Sequence, residues 1–235
     1  MSSFLRIHVI QHIDCEGPGE IATWANENQH DIYVVRADQG DLLPEPNQTD
    51  FLILLGGTFD INDDSLEWLK NEKAQIKKFI AAKSPILAIC GGAQLLTVLL
   101  GGSIKQNPEA EIGWFKIHLA KNEITKDLEI QDPFAFHWHR EAFTLPPRAI
   151  QIASSEATTV QAYRLDRHIV AMQFHPEINE EIFRSLISTF GYTIEKNKPY
   201  QQSPQKMRSL MENGNAQSKA LLNLVLDYFS QTKEH

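Results

Sequence analysis

Residues 84–101 read SPILAICGGAQLLTVLLG, and this stretch decides the fold. The apolar run at 86–89 is typical of a strand buried on both faces, and residues 93–100 favour a helix that ends at Gly101. Cys90 stands at the joint between the two elements. A strand–turn–helix elbow strains its central residue and needs small residues two positions away on each side, which Ala88 and Gly92 supply. The sequence therefore predicts that Cys90 is a nucleophile presented to a cleft, with the helix N-terminus favouring its thiolate form.

A histidine stands at the end of a second predicted strand. Residues 168–174 are mostly apolar and are followed by His175, Pro176 and Glu177. Alternate residues of an extended chain project to the same side, so Glu177 can orient His175 while the other ring nitrogen faces the thiol. Proline cannot continue a strand ladder, which fits a strand end. Cys90, His175 and Glu177 are therefore the predicted nucleophile, base and orienting acid of a cysteine enzyme.

Three motifs in this order resemble those of the class I glutamine amidotransferases, the triad-type glutaminases, and within them the GMP-synthase-like stand-alone group. Cys90-Gly91-Gly92-Ala93-Gln94 is similar to the family's nucleophile motif, and Phe174-His175-Pro176-Glu177 is similar to its His-x-Glu motif. Leu54-Leu55-Gly56-Gly57, after an apolar run, is similar to the Gly-rich turn that supplies an oxyanion-hole amide. The resemblance covers the chain from its first strand to about residue 190, and it implies a flavodoxin-like fold.

The resemblance also implies roles for residues around the nucleophile. The backbone N–H groups of Gly57 and Gly91 are expected to stabilise the tetrahedral oxyanion, and Gln94 to contact the amino-acid end of the substrate. Substrate contacts are further expected from Trp138, His139 and Arg140. Arg140 stands where the family segment His-Gly-Asp has its glycine, and this departure favours a substrate other than free glutamine.

Strand and helix patterns alternate along the chain and predict an α/β fold, with a mainly parallel open sheet covered by helices on both faces. Strands are predicted at residues 4–10, 31–35 and 51–55, and a helix is expected to be capped by Asp64 or Ser65. Residues 103–163 show short strand-like pieces that predict a small antiparallel insert. Sites in such sheets lie beyond the carboxyl ends of the strands, where Gly57, Cys90 and His175 are placed.

Residues 1–235 are interpreted as a single glutamine amidotransferase-like domain with a core at about 4–190 and a helical tail at about 197–235. Within this tail, residues 196–215 are polar and a helical pattern resumes at 218–229. The sequence leaves open whether the tail packs on the core or serves a partner.

The composition narrows the choice of partners and compartment. The chain has 22 Lys and Arg against 30 Asp and Glu, a net charge of −8, so we expect no nucleic-acid and no membrane partner. Two cysteines and no apolar leader lead us to expect a cytoplasmic protein in a reducing compartment. The pair His137 and His139 has no third ligand at a sensible spacing, so no metal is expected, and no motif indicates a cofactor.

The predicted reaction is cysteine-dependent hydrolysis of the γ-amide of glutamine through a γ-glutamyl thioester, which releases ammonia. In a true amidotransferase the ammonia would pass to a separate synthetase subunit, because this chain has no ATP-handling motif. Two alternatives stay open. The chain could be a stand-alone γ-glutamyl peptidase that acts on γ-glutamyl peptides or conjugates, or a non-catalytic regulatory or binding module of the same fold.

Overall fold

The computed structural model describes residues 4–231, in which an eight-stranded sheet lies between two layers of helices. The elements in chain order are β1 (Arg6–Ile10), α1 (Gly19–Glu27), β2 (Asp31–Val35), β3 (Phe51–Leu54), α2 (Glu67–Ala81), β4 (Ile86–Ile89), α3 (Gly91–Leu99), β5 (Ile104–Lys116), β6 (His118–Leu119), β7 (Phe134–Phe143), β8 (Ile150–Ser154), β9 (Ala162–Leu165), β10 (Ile169–Met172), α4 (Glu180–Phe190) and α5 (Pro204–Gln231). Short 3₁₀ turns at Ala37–Gln39, Pro46–Gln48 and Gly191–Thr193 complete the set.

The strand order across the sheet is β2-β1-β3-β4-β10-β9-β8-β6. The first five strands are parallel, whereas β9, β8 and β6 continue the sheet in antiparallel register. The predicted antiparallel insert is therefore divided, because β6, β8 and β9 belong to the main sheet. Only β5 and β7 form a separate ribbon, which pairs with a register shift between Gln106 and Glu111.

The core confirms the predicted mainly parallel α/β fold. Every residue of β3, β4 and β10 is buried, as expected for central strands that are covered on both faces. Apolar residues of α1 and α5 pack on one face of the sheet, and those of α2 and α3 pack on the other. A third apolar cluster joins α4 and the N-terminal half of α5 to the β5–β7 ribbon.

The predicted cap of the second helix is wrong. The helix α2 begins at Glu67 after Leu66, and neither Asp64 nor Ser65 caps it. Instead, the Asp63 carboxylate accepts hydrogen bonds from the backbone N–H and the hydroxyl of Ser65, at 2.8 and 2.6 Å. A short acidic side chain that bonds two residues ahead stabilises a turn, so the polar cluster is used before the helix begins.

The C-terminal helix begins fourteen residues earlier than the helical pattern at 218 predicts, at Pro204, where a proline is harmless in the first turn. Met207 and Met211 are buried while their polar neighbours face outward, which hides the helical period in the sequence. Just before the helix, Ile112 N–H donates to Tyr200 O at 2.8 Å and Gln202 N–H donates to Ile112 O at 2.9 Å. The tail therefore packs on the core. Among residues 4–231, no helix combines the length and the apolar character needed to cross a bilayer.

Candidate active site

Cys90 occupies a strained position between β4 and α3. Its φ of 47° and ψ of −113° lie in a region that side-chain-bearing residues rarely adopt. A Cβ on Gly92 would lie 2.6 Å from the carbonyl oxygen of Leu54, so the elbow requires a glycine there. The Cys90 N–H donates to Met172 O at 2.8 Å and joins the elbow to the end of β10. The strain persists because the surrounding sheet and helix determine the turn.

His175 and Glu177 lie just beyond β10, at the same edge of the sheet. The Nδ1 atom of His175 lies 2.8 Å from Glu177 Oε1, and both side chains are fully buried. The His175 N–H donates to Phe136 O at 2.8 Å, so β7 fixes the backbone behind the ring. Burial disfavours the imidazolium, but the Glu177 carboxylate and the Cys90 sulfur outweigh burial and hold the pKa of His175 well above its ordinary range. The imidazole thus lies between the Glu177 carboxylate and the Cys90 sulfur.

Gln173 is a neighbour of the sulfur that was not predicted from the sequence. Its Nε2 donates to Cys90 Sγ at 3.7 Å, and its Oε1 accepts from Gln94 Nε2 at 3.3 Å. The predicted substrate residue Gln94 is thus also a support for Gln173. The sequence signal is one amide in an otherwise apolar run, and the structure shows that this side chain is fully buried.

A cavity of about 250 Å³ opens over the sulfur. It is lined by most of the residues predicted from the sequence, namely Gly57, Cys90, Gly91, Gln94, Trp138, His139 and Arg140. His175 and Glu177 lie beneath this surface, fully buried. The volume suits a small substrate rather than a folded partner.

The 138–140 segment forms one wall of the cavity. The Trp138 carbonyl oxygen lies 4.0 Å from Cys90 Sγ. The His139 side chain is only 1% exposed, which leaves its backbone as the part that reaches the cavity. The Arg140 guanidinium donates to Glu195 Oε1 at 3.0 Å and to Thr193 O at 2.8 Å. Arg140 thus ties the outer wall to the turn that follows α4, with its charge paired away from the sulfur.

Glu16 is a second residue at the cavity that was not predicted from the sequence. It follows β1, whose carboxyl end lies at the same edge of the sheet as the elbow. Its Oε2 is buried and has no hydrogen-bond partner among residues 4–231, and burial raises the pKa of the carboxyl although His175 opposes this shift. A Cβ on Gly56 would overlap this carboxyl and lie 3.3 Å from His175 Cε1. Glu16 therefore lies on the His175 side of the cavity.

The structure places a third potential metal ligand, Glu111, next to His137 and His139. The spacing in the sequence does not reveal this neighbour. One potential ligand atom from each of the three residues lies within 4.8 Å of the other two. However, Glu111 Oε2 already accepts from Thr158 Oγ1 at 2.9 Å and from Gln161 Nε2 at 2.6 Å. The Gln161 amide nitrogen also lies 3.4 Å from His137 Nδ1, so it contacts two of the three residues that would have to hold a metal. The cluster therefore fits a buried hydrogen-bond network better than a metal centre.

Charge is distributed unequally in this network. His139 Nδ1 lies 2.9 Å from Glu141 O, and its Nε2 lies 3.3 Å from Glu111 Oε2. Burial lowers the pKa of His137 to about 4, against the opposing field of Glu111. Burial alone would raise the pKa of Glu111, but His137, His139 and hydrogen bonds lower it to about 2. Glu111 of β5 is therefore a carboxylate directly opposite His139 of β7, the strand that positions His175.

Comparisons with known proteins identify the family of the chain. The family model of the class I glutamine amidotransferases matches residues 13–208. The chain therefore belongs to the class I glutamine amidotransferase family.

Three relatives show the range of the similarity. The chain is 28% identical to the glutamine amidotransferase-like protein YfeJ of Salmonella typhimurium, over 78% of this chain and 80% of YfeJ. It is 30% identical to gamma-glutamyl peptidase 3 of Arabidopsis thaliana, over 64% of this chain and 61% of that protein. It is 27% identical to a subunit of the glutamine-hydrolyzing GMP synthase of Saccharolobus solfataricus, over 61% of this chain and 78% of that protein.

A solved structure supports the fold over almost the whole chain. The glutamine amidotransferase of Methylobacillus flagellatus superposes with a TM-score of 0.90 at 27% identity, covering 97% of this chain and 95% of that one. The likeness includes the C-terminal region that lies beyond the family model.

Proposed function

We propose that this protein hydrolyses the γ-amide bond of glutamine or of a γ-glutamyl compound through a γ-glutamyl thioester on Cys90. One observation carries the proposal. A cysteine on a strained elbow lines a small cavity and lies beside a buried imidazole whose other nitrogen is 2.8 Å from a carboxylate. This arrangement of nucleophile, base and orienting acid performs acyl transfer on several unrelated folds.

The chemistry proceeds in two halves. The Cys90 thiolate attacks the γ-carbonyl carbon, and the C=O pair moves onto oxygen while the N–H groups of Gly57 and Gly91 stabilise the oxyanion. His175 protonates the nitrogen as the C–N bond breaks, and ammonia or an amine leaves. His175 then takes a proton from water, which attacks the thioester and releases glutamate and the thiolate. Glu177 holds the ring in orientation throughout.

The fate of the released nitrogen separates two versions of this chemistry. The likeness to a GMP synthase subunit supports an amidotransferase whose ammonia passes to a separate synthetase. The likeness to a γ-glutamyl peptidase, together with Arg140 at the cavity wall, supports a chain that acts alone on γ-glutamyl peptides. We favour the second version for the isolated chain because Arg140, at the cavity wall, replaces the glycine that the resemblance leads us to expect there.

The experiment incubates the protein with glutamine and a panel of γ-glutamyl dipeptides and measures released amine together with the mass of the intact protein. A thioester adduct on Cys90 and glutamate release are expected from the unmodified chain, and Cys90→Ala is expected to lose both. Cys15→Ala is the matched control and is expected to leave turnover unchanged. Cys15 is buried in the apolar cluster that joins α4 to the β5–β7 ribbon. Turnover retained in Cys90→Ala contradicts the assignment.

A further inference from the structure

His12 and Glu72 form a buried pair directly behind the Gly-rich turn. His12 follows β1 and Glu72 lies in α2, and both side chains are fully buried. The His12 Nε2 atom lies 2.9 Å from Glu72 Oε1. Removing a charged pair from water is unfavourable, and apolar residues of the same volume often stabilise a core as well or better. A contribution to stability therefore does not by itself account for the pair.

The other nitrogen of His12 contacts the turn itself. Nδ1 lies 3.0 Å from Leu55 O and 3.2 Å from Gly56 O. Carbonyl oxygens only accept hydrogen bonds, so Nδ1 carries a proton and donates it to the turn. Glu72 accepts from the Nε2 side. Burial opposes the charged ring, but the Glu72 carboxylate outweighs burial and raises the pKa of His12.

The direction of the Gly56 carbonyl fixes the direction of the next N–H. In a planar trans peptide the C=O and the following N–H point in opposite directions. Because Gly56 O faces His12, the Gly57 N–H points away from His12. Gly91 lies against this residue, because an added Cβ there would be 3.1 Å from both Gly57 N and Gly57 O. The two residues whose N–H groups are proposed for the oxyanion hole are thus neighbours.

Two adjacent glycines make this peptide easy to rotate. Glycine has no Cβ and populates both signs of φ, so Gly56 and Gly57 offer little intrinsic resistance to a flip of the peptide between them. A flipped peptide would direct a carbonyl oxygen, instead of an N–H, at the site of developing negative charge.

We propose that His12, held by Glu72, is a positioning residue that locks the Gly56–Gly57 peptide with its N–H directed at the oxyanion. The inference rests on the proposed function, because an oxyanion forms only if Cys90 attacks a carbonyl. His12 acts through the turn and touches no reacting atom.

Two substitutions at His12 separate its two nitrogens. In His12→Asn the amide nitrogen occupies the δ position, so the donor to Leu55 and Gly56 is retained and the contact with Glu72 is lost. In His12→Gln the amide lies at the ε position, so the contact with Glu72 is retained and the donor to the turn is lost. We expect His12→Gln to lower kcat for the best γ-glutamyl substrate by about 10- to 100-fold with little change in KM, and His12→Asn to keep the greater part of kcat.

The rate at which iodoacetamide alkylates Cys90 separates a lost oxyanion contact from a general structural defect, because only the structural defect would change this rate. This displacement at a saturated carbon forms no oxyanion, so its rate is expected to stay at the wild-type value in both His12 variants. The same two substitutions at His8, which lies in β1 and contacts Thr49 at 3.0 Å, are the matched control and are expected to leave kcat unchanged.

The outcomes separate the two proposals. If the wild-type chain hydrolyses its substrate and His12→Gln does so equally fast, the positioning role is refuted while the proposed function stands. A parallel fall of hydrolysis and alkylation in His12→Gln also refutes it, since that result indicates a disrupted site. If the wild-type chain hydrolyses no member of the panel, the proposed function fails and the oxyanion role of the turn fails with it.

Discussion

At the scale of single residues, the position proposed for the nucleophile is expected to lower stability and to expose the sulfur for reaction. Cys90 adopts a positive φ that a glycine would adopt without strain, so the position is expected to destabilise the fold. The strain directs the sulfur into the cavity and places it against the N-terminus of α3.

Cys90→Gly and Cys90→Ala both remove the thiol, but only the alanine retains the strain. We expect the free energy of unfolding of the glycine variant to exceed that of the alanine variant by about 1 kcal/mol. This difference is the strain that glycine relieves minus the entropy that glycine adds to the unfolded chain. Urea unfolding of the two inactive variants measures the difference. An alanine variant that equals the glycine variant would show that the elbow is relaxed.

The buried carboxylate of Glu177 gives a second residue-scale prediction. It raises the pKa of His175 and fixes which ring nitrogen faces the sulfur. An amide in its place can present an N–H to Nδ1 and turn the ring to the wrong tautomer. We expect Glu177→Gln to lower kcat by about 10³- to 10⁴-fold with a much smaller effect on KM. A steady-state assay checks this, and a loss of less than tenfold would argue against an orienting role.

The residues that could be predicted from the sequence are those whose chemistry is visible locally. Cys90 stands in a strand–helix joint and His175 precedes a proline and an acid, so short windows were enough. His12 and Glu72 carry no such local pattern, and the single amide of Gln173 in an apolar run does not by itself reveal a contact with the sulfur. They meet the site only because the ends of β1 and β10 and one turn of α2 converge there, and this convergence depends on the order of the strands.

At the scale of elements, the apolar runs predicted the central strands well because burial on both faces leaves no room for polar residues. The helix α5 was placed too late because its first half buries one narrow apolar stripe among polar residues. The sequence predicts an antiparallel insert and does not show that β6, β8 and β9 join the main sheet, because pairing partners cannot be deduced from short strand-like pieces. Tertiary contacts decided both cases.

The contact between α5 and the β5–β7 ribbon predicts a loss of stability where helix propensity alone would predict a gain. Gly214 lies inside α5, where alanine would ordinarily stabilise a helix by about 1 kcal/mol. Here an added Cβ would lie 2.6 Å from Cδ2 of the fully buried Trp114. We expect Gly214→Ala to lower the free energy of unfolding by about 1–3 kcal/mol because α5 must move off the indole.

Gly191→Ala is the control for this substitution. A Cβ at Gly191 would meet only Ile187 Cγ2, at an ordinary 3.6 Å, and the backbone φ there is −55°. This variant is expected to be neutral or slightly stabilising. Thermal unfolding of both variants compares them, and a stabilised Gly214→Ala would show that the helix does not press on Trp114.

At the scale of the whole molecule, the site is assembled from both ends of the chain. The ends of β1, β3, β4 and β10 supply the edge that carries the proposed catalytic residues, while β5 and β7 supply the opposite wall. Ile112 of that wall is hydrogen-bonded to the segment before α5, which joins the C-terminal region to the cavity lining. Global stability and the geometry of the site are therefore expected to change together.

The buried network of Glu111, His137 and His139, on β5 and β7, predicts how global stability changes with pH. His137 has a pKa of about 4 in the fold because burial excludes its charged form, whereas the unfolded chain titrates near the ordinary value of 6.5. Between about pH 4 and pH 6.5 the unfolded chain binds a proton at His137 that the folded chain does not bind. The free energy of unfolding therefore rises with pH through this window, by up to about 1.4 kcal/mol per pH unit for one proton.

Replacing His137 separates its contribution to the pH dependence of stability from those of the other histidines. The raised pKa values of His12 and His175 act with the opposite sign, since the stability they add is present below pH 6.5 and is lost as the pH rises through their folded values. We therefore expect His137→Gln to lose stability less steeply than wild type between pH 6.5 and 4.5 in urea titrations. The exposed His118→Gln serves as control and should follow wild type. Parallel pH profiles for wild type and His137→Gln would mean that His137 accepts its proton in the folded state, with Glu111 as the partner that stabilises it.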